Sequence, residues 1–127
     1  MEGYSVKIRE TSKELSAKER IAIKDTSNAI SLDEVTATEG SIVIQYDFHV
    51  VLDVHNEKSD NKDYTKIVVM DKGGTKYVTG SESFRTALTD IVDEMIDAGE
   101  GENITIEVYR KDSKNYKGKQ FITASIV

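Results

Sequence analysis

From Ile42 to Val54 the chain alternates with period two, and this run constrains the fold more than any other feature. Ile42, Ile44, Tyr46, Phe48, Val50, Leu52 and Val54 occupy one set of positions. Val43, Gln45, Asp47, His49, Val51, Asp53 and His55 occupy the other. Period two is the signature of a strand, because successive side chains point to opposite faces. The run therefore predicts a long strand, opened by Gly40, with one buried face. Tyr46 and Phe48 fall on that face and are expected in the core.

The remaining elements arrange themselves around this strand. Tyr4 to Arg9 alternates Tyr, Val and Ile with Ser, Lys and Arg, and reads as a short strand. Ser16-Ala17-Lys18-Glu19 fits a capping box, which opens a short helix from about Ala17 to Lys24. Ile21 and Ile23 alternate, however, and a strand there stays open. Asn28 to Leu32 reads as extended, and Glu57 to Asp63 as a polar loop. Tyr64 to Met70 is the next strand. Asp71-Lys72-Gly73-Gly74 is a turn with glycines for positive φ, and Thr75 to Thr79 pairs back. Phe84, Ala87, Leu88, Ile91, Val92, Met95 and Ile96 form a stripe at helical spacing, and Gly99 follows. They predict a helix over about 82–98. Ile104 to Arg110 and Gln120 to Val127 then form a closing hairpin. The order predicts a mainly β fold with one or two helices. Its specific form is an OB-like five-stranded barrel with a helix before the C-terminal hairpin. A sheet packed on one helix without barrel closure is the competing architecture. Residues 1–127 read as a single domain, with 1–27 as a strand and short helix appended to it.

That hairpin carries the most informative local chemistry. Between Tyr109 and Phe121 lie five cations, Arg110, Lys111, Lys114, Lys117 and Lys119, with Tyr116 among them and one acid, Asp112. The chain as a whole has a net charge of -6. Basic groups that track phosphates, interleaved with flat rings that stack on bases, suit single-stranded nucleic acid. Lys-rich hairpin tips also serve solubility and edge protection alone. Parity adds a second signal. Ile104, Ile106 and Val108 face the core, as do Ile122, Ala124 and Ile126, so Tyr109 and Phe121 point to solvent on one side. A base, a loop or a neighbouring subunit would cover them. Tyr116 lies in the loop between cations, and Tyr77 follows the glycine turn beside Lys76. The acids gather elsewhere: Asp90, Asp93, Glu94, Asp97, Glu100, Glu102 and Glu107 occur between Arg85 and Arg110 with no cation among them. A polyanion would be steered away from that helix, whose acids also suit a solvated face.

Other chemistries find little support. The chain has no cysteine, so it lacks disulfides and thiolate chemistry. Asp47, His49, Asp53 and His55 share a strand face, but strand neighbours lie about 7 Å apart and point in parallel, so they converge poorly on a metal. Gly73-Gly74-Thr75-Lys76 lacks P-loop spacing. Ser81 and Ser83 have no nearby His as base and suit helix capping. Nothing here reads as an enzyme, and no cofactor is expected. The first nine residues hold charges and no apolar run, and the Ile42–Val54 run is interrupted by Gln45, Asp47, His49 and Asp53. No signal peptide or membrane span is expected, and a cytoplasmic location follows by elimination.

With this order laid out, the chain resembles the small single-stranded-DNA-binding proteins of phages that prime replication with a protein, the group infecting Bacillus and relatives. The resemblance runs from about Asn28 to the end. It rests on Asn28-Ala29 with Leu32 before Gly40 and Ile42-Val43, and on Gly74 and Tyr77 after the Ile67 to Met70 strand. The acidic-apolar helix follows, and Ser113, Lys117-Gly118 and Phe121 lie in the last hairpin. It implies an OB-like barrel that coats displaced single strands during replication, in the host cell's cytoplasm. Members of that family stack bases on tyrosines, and Tyr77 falls where one of them lies. Two others align near Val51 and Glu57, which are not aromatic; Tyr116, Tyr109 or Tyr64 would have to substitute. The resemblance thus makes single-stranded DNA the expected partner. Tyr77, Tyr109, Arg110, Lys111, Lys114, Tyr116, Lys117, Lys119 and Phe121 are the candidate contacts, with homo-oligomeric or cooperative assembly on DNA left open. The alternative is an acidic phage protein, or DNA mimic, whose helix docks on a basic host protein.

Overall fold

The computed structural model describes residues 3–114 and 118–127. Seven strands and three helices are present among them: β1 (Tyr4–Thr11), α1 (Ala17–Lys24), β2 (Ile30–Ser31), α2 (Leu32–Glu39), β3 (Ser41–Asn56), β4 (Asp63–Asp71), β5 (Lys76–Thr79), α3 (Glu82–Asp97), β6 (Thr105–Asp112) and β7 (Gln120–Ile126). The fold is mainly β, with a curled half-barrel sheet.

Local sequence explains the helix boundaries. Ser16 Oγ accepts from the Glu19 amide at 3.2 Å, and Glu19 Oε1 accepts from the Ser16 amide at 3.0 Å. That reciprocal pair satisfies two amides the first turn of α1 leaves orphaned. Ser81 Oγ does the same work for α3, accepting from Phe84 N–H at 3.2 Å. The helix α2 was not expected. Ser31 Oγ caps it by accepting from Glu34 N–H at 3.3 Å. Gly40, at φ +82°, ends it and donates its N–H to Thr36 O. Positive φ is open to glycine without a Cβ penalty, which is why the chain can turn here directly into β3. The expected extended segment 28–32 shrinks to the two residues of β2.

The long strand β3 is the axis of the sheet. Strands run in the order β2-β5-β4-β3-β6-β7, with β1 also on β3. All pairings are antiparallel except the parallel pair β2–β5. The first half of β3, Ser41 to Gln45, pairs with β6, and the second half pairs with β1 and β4 on its two edges. At the junction the Gln45 carbonyl accepts from Lys72 N–H, while the next amide, Tyr46 N–H, donates to Ile104 O. Carbonyl and following amide point to opposite edges, so β6 and β1 share one edge of β3 and β4 holds the other.

The expectation of one apolar face along 42–54 is corrected by a β-bulge. Tyr46 pairs with Asp71, yet Phe48 pairs with Met70. Asp71 and Met70 are adjacent and face opposite ways, so Tyr46 and Phe48 do too. One extra residue, Asp47, thus splits the alternating set between two cores. Ile44 and Tyr46 join Leu32, Ile67, Val69, Phe84, Leu88, Val92, Ile104, Ile106, Val108, Ile122 and Ala124 inside the curl. Phe48, Val50, Leu52 and Val54 join Val68 and Ile23 on its outside, with Val6, Ile8, Leu15, Tyr64, Met70 and Val78 packed around them. The strand is therefore buried on both faces at its centre, where His49 and Val51 are also covered.

Two numerical expectations also need correction. The sheet has seven strands rather than five, because β1 and β2 are added to it, and three helices rather than one or two. Among the described residues the end strands β2 and β7 do not pair, so the curl stays open between them. Helix α3 packs along β7, where Ser83 Oγ donates to Ile122 O at 3.0 Å.

Candidate nucleic-acid interface

The register of β3, β6 and β7 decides which side chains leave the core. Val108 and Ile106 are buried on β6, and Ile122 and Ala124 on β7. The alternate residues, Thr105, Glu107, Tyr109 and Lys111, and Phe121, Thr123 and Ser125, form the outer face. Ser41 pairs with Tyr109, Val43 with Glu107 and Gln45 with Thr105, so the first half of β3 extends that face. Outside β4 and the second half of β3, α1 and Leu15 cover the sheet. Outside β3, β6 and β7 no helix among the described residues lies on it: Ser41, Val43 and Gln45 are exposed, and Val43 is 59% accessible.

Two aromatic groups sit on this face as expected. Lys111 is paired with Phe121 and Tyr109 with Thr123, which makes Tyr109 and Phe121 diagonal neighbours across the two strands. The Tyr109 hydroxyl lies 2.7 Å from Ser125 Oγ, so its ring leans across β7 toward the strand's C-terminal end. Both rings are half-buried. Lys111, Lys114 and Lys119 are exposed around the hairpin end. The Ser113 amide donates to Lys119 O at 2.9 Å, and Gln120 Nε2 donates to the Asp112 carboxylate at 3.1 Å. The one acid of the island is thus held within the hairpin. Tyr116 and Lys117 lie outside the described residues.

Two other candidates are placed elsewhere. Arg110 has the parity of Val108 and turns to the inner side. Its Nε donates to Thr36 Oγ1 at 3.2 Å and its terminal nitrogen to Asp33 O at 2.7 Å. It therefore ties β6 to α2 and is not brought to the outer face. Tyr77 pairs with Val69 on β5 and packs against the inner core. Burial, aided by Asp71, pushes its phenol above the ordinary tyrosine value. Tyr77 is half-buried and does not share a surface with Tyr109 and Phe121. Conversely, Ser41, Val43 and Gln45 belong to the outer face and were not among the candidates; strand parity was the signal that could have found them.

Asp53, His55 and His49 of β3 each have side-chain partners. Arg9 pairs with Asp53 at 2.6 Å. His55 lies between two carboxylates, Nδ1 at 2.7 Å from Asp63 and Nε2 at 2.6 Å from Glu57. These carboxylates flank the ring on opposite nitrogens and hold the imidazole above its ordinary value. They do not converge on a point, and no metal-competent group of three or more His, Cys, Asp or Glu occurs among the described residues. No helix among those residues is long and apolar enough to cross a membrane.

His49 is held differently. Ser12 Oγ donates to His49 O at 3.3 Å and accepts from His49 N–H and Tyr46 O–H, each at 2.9 Å. The single Tyr46 hydrogen is thereby committed, so its oxygen accepts from His49 Nδ1–H at 2.6 Å. This balance places a proton on Nδ1. Burial pushes the Tyr46 phenol up to about 12 and pulls the His49 imidazole down, although Glu10 and Asp93 partly oppose the latter. A folded value below the unfolded one makes stability complete above about pH 6.5 and lost as pH falls below it. Thermal melts between about pH 5 and 7.5 are expected to show the wild type losing more stability toward acid than His49→Gln, the raised His55 acting in the opposite sense and alike in both proteins.

Models of known protein families, curated proteins and solved structures were compared with the chain, and none matches it.

Proposed function

We propose that the chain is a sequence-tolerant single-stranded-DNA-binding protein that uses the outer face of β3, β6 and β7. The observation that carries this reading is the diagonal placement of Tyr109 and Phe121 beside Lys111, on a sheet face that no helix among the described residues covers. Each ring offers a π-face that any base can stack on, and such stacking is tolerant of sequence. Around the rings stand the uncharged Ser41, Gln45, Thr105, Thr123 and Ser125, with the acid Glu107 between Thr105 and Tyr109 on the same face of β6. Lys111, Lys114 and Lys119 mark where the backbone would run. On the far side, the exposed acids Asp90, Asp93, Glu94 and Asp97 of α3 would turn a polyanion away. No catalytic role is part of this reading. It is the role expected of a protein that coats displaced strands during phage or mobile-element replication.

The connectivity supports the same reading. Strands β3, β4, β5, β6 and β7, with α3 between β5 and β6, follow the order β5-β4-β3-β6-β7. We read this as an OB-like barrel opened between its third and fifth strands, with β1 and β2 added. An OB-fold presents oligonucleotides to its second and third strands. Here the outside of β4 is occupied by the Ile23 and Leu15 side chains, which is why the binding surface is assigned to the hairpin side.

The test is anisotropy of a labelled oligo-dT of about 30 nucleotides at low and moderate salt, with duplex as control. Four lysines of the hairpin, Lys111, Lys114, Lys117 and Lys119, remain once Arg110 is assigned to α2. If all four meet phosphates, the logarithmic salt slope is about -3, at about 0.7 per phosphate. No binding at low salt, or equal binding of the duplex, would overturn the reading.

A further inference from the structure

We propose that the free edge of β1, with the groove between β1 and α1, is a docking site for an extended acidic peptide. The inference is independent of the nucleic-acid reading. Among the described residues, strand β1 pairs with β3 alone. The Gly3 carbonyl accepts from Glu57 N–H at 2.7 Å, so the backbone groups of Gly3, Ser5 and Lys7 face β3. Those of Tyr4, Val6 and Ile8 therefore face the other way, and none has a backbone partner among the described residues. The register shift between Ile8 and Glu10 disrupts the strand just beyond, which limits the open edge to Tyr4–Ile8. Open edges of this kind take up an added strand.

The groove beside the edge supplies side-chain recognition. It measures about 610 Å³ and is lined by Tyr4, Val6, Ile21, Lys24 and the turn that follows α1, where the Asp25 carboxylate is taken up by the Ser27 amide and hydroxyl. Ile21 is 73% exposed and Tyr4 39%, on a small helix and strand that otherwise turn their apolar groups inward. A strand added to β1 would place every second side chain over this groove.

Charge selects the occupant. Residues 3–27, which include the groove's Asp25, carry six cations against four acids in a chain whose net charge is -6. Lys18 and Lys24 stand one turn either side of Ile21, and neither forms an ion pair among the described residues. A peptide alternating apolar and acidic residues satisfies the edge, the groove and both lysines together. A second copy of the chain would instead oppose two net-positive segments.

The probe is an acetylated peptide of about eight residues alternating Val and Glu, with a Val–Lys peptide as control. Binding of the acidic peptide should slow hydrogen exchange at the Tyr4, Val6 and Ile8 amides, leaving the Ser5 and Lys7 amides as they were. Ile21→Glu, at an exposed helix position, should weaken binding about tenfold, as expected for losing one apolar contact and gaining a like charge. Failure of the acidic peptide to bind, equal binding of the Val–Lys peptide, or undiminished binding to Ile21→Glu would overturn the proposal. So would a concentration-dependent dimer of the protein alone that Ile21→Glu dissociates, since the edge would then belong to a second copy.

Discussion

Phe84→Ala is expected to cost about 3–5 kcal/mol of folding stability, the usual range for truncating a buried aromatic. Phe84 is fully buried on α3 and sits among residues from α2, β3, β4, β6 and β7. It follows Ser81 by three residues, so the capped first turn holds it in place and leaves the cavity little freedom to collapse. The loss combines the transfer of the ring with the empty volume left behind. Urea unfolding followed by circular dichroism measures it. A loss below about 1 kcal/mol would mean that α3 is not packed into the opening of the curl as described.

Phe121→Ala is expected to weaken oligo-dT binding by about 1–3 kcal/mol, or about tenfold to a hundredfold, with little change in salt slope. A stacked base loses its platform, while the lysines that meet phosphate remain. Tyr109→Ala should act alike, whereas Tyr109→Phe should bind nearly as the wild type, because the ring stays and only the Ser125 bond is lost. Anisotropy titrations of these variants separate stacking from charge. If Phe121→Ala and Tyr109→Ala both bind as tightly as the wild type, bases do not stack on this face.

Much of the fold was legible because its signals are local. The Ser16–Glu19 capping box and the apolar stripe from Phe84 to Ile96 located two helices to within a residue. What escaped depends on contacts distant in sequence. Helix α2 is short, and its residues include the β-branched Val35, Thr36 and Thr38. Its place is secured by burial of Leu32 and Thr36 and by Arg110 from the far end of the chain. A bulge leaves no mark on an alternating sequence, so Ile44 and Leu52 looked like neighbours on one face. For the site, parity correctly turned Tyr109 and Phe121 outward. The same parity turns Arg110 inward with Val108; grouping it by charge with the neighbouring lysines hid that. Tyr77 was drawn in by its resemblance to a stacking tyrosine, and its burial could be known only once β5 was paired with β4.

The junction in β3 also governs how the chain can be made. Its second half finds β1 already synthesised and β4 following soon after. Its first half, with the apolar Ile42 and Ile44, has no strand to pair with until β6, which comes after β4, β5 and α3, has been made. Nascent chains must therefore carry a sticky, half-zipped strand until then. The inner layer, whose residues span Leu32 to Ala124, condenses last and all at once.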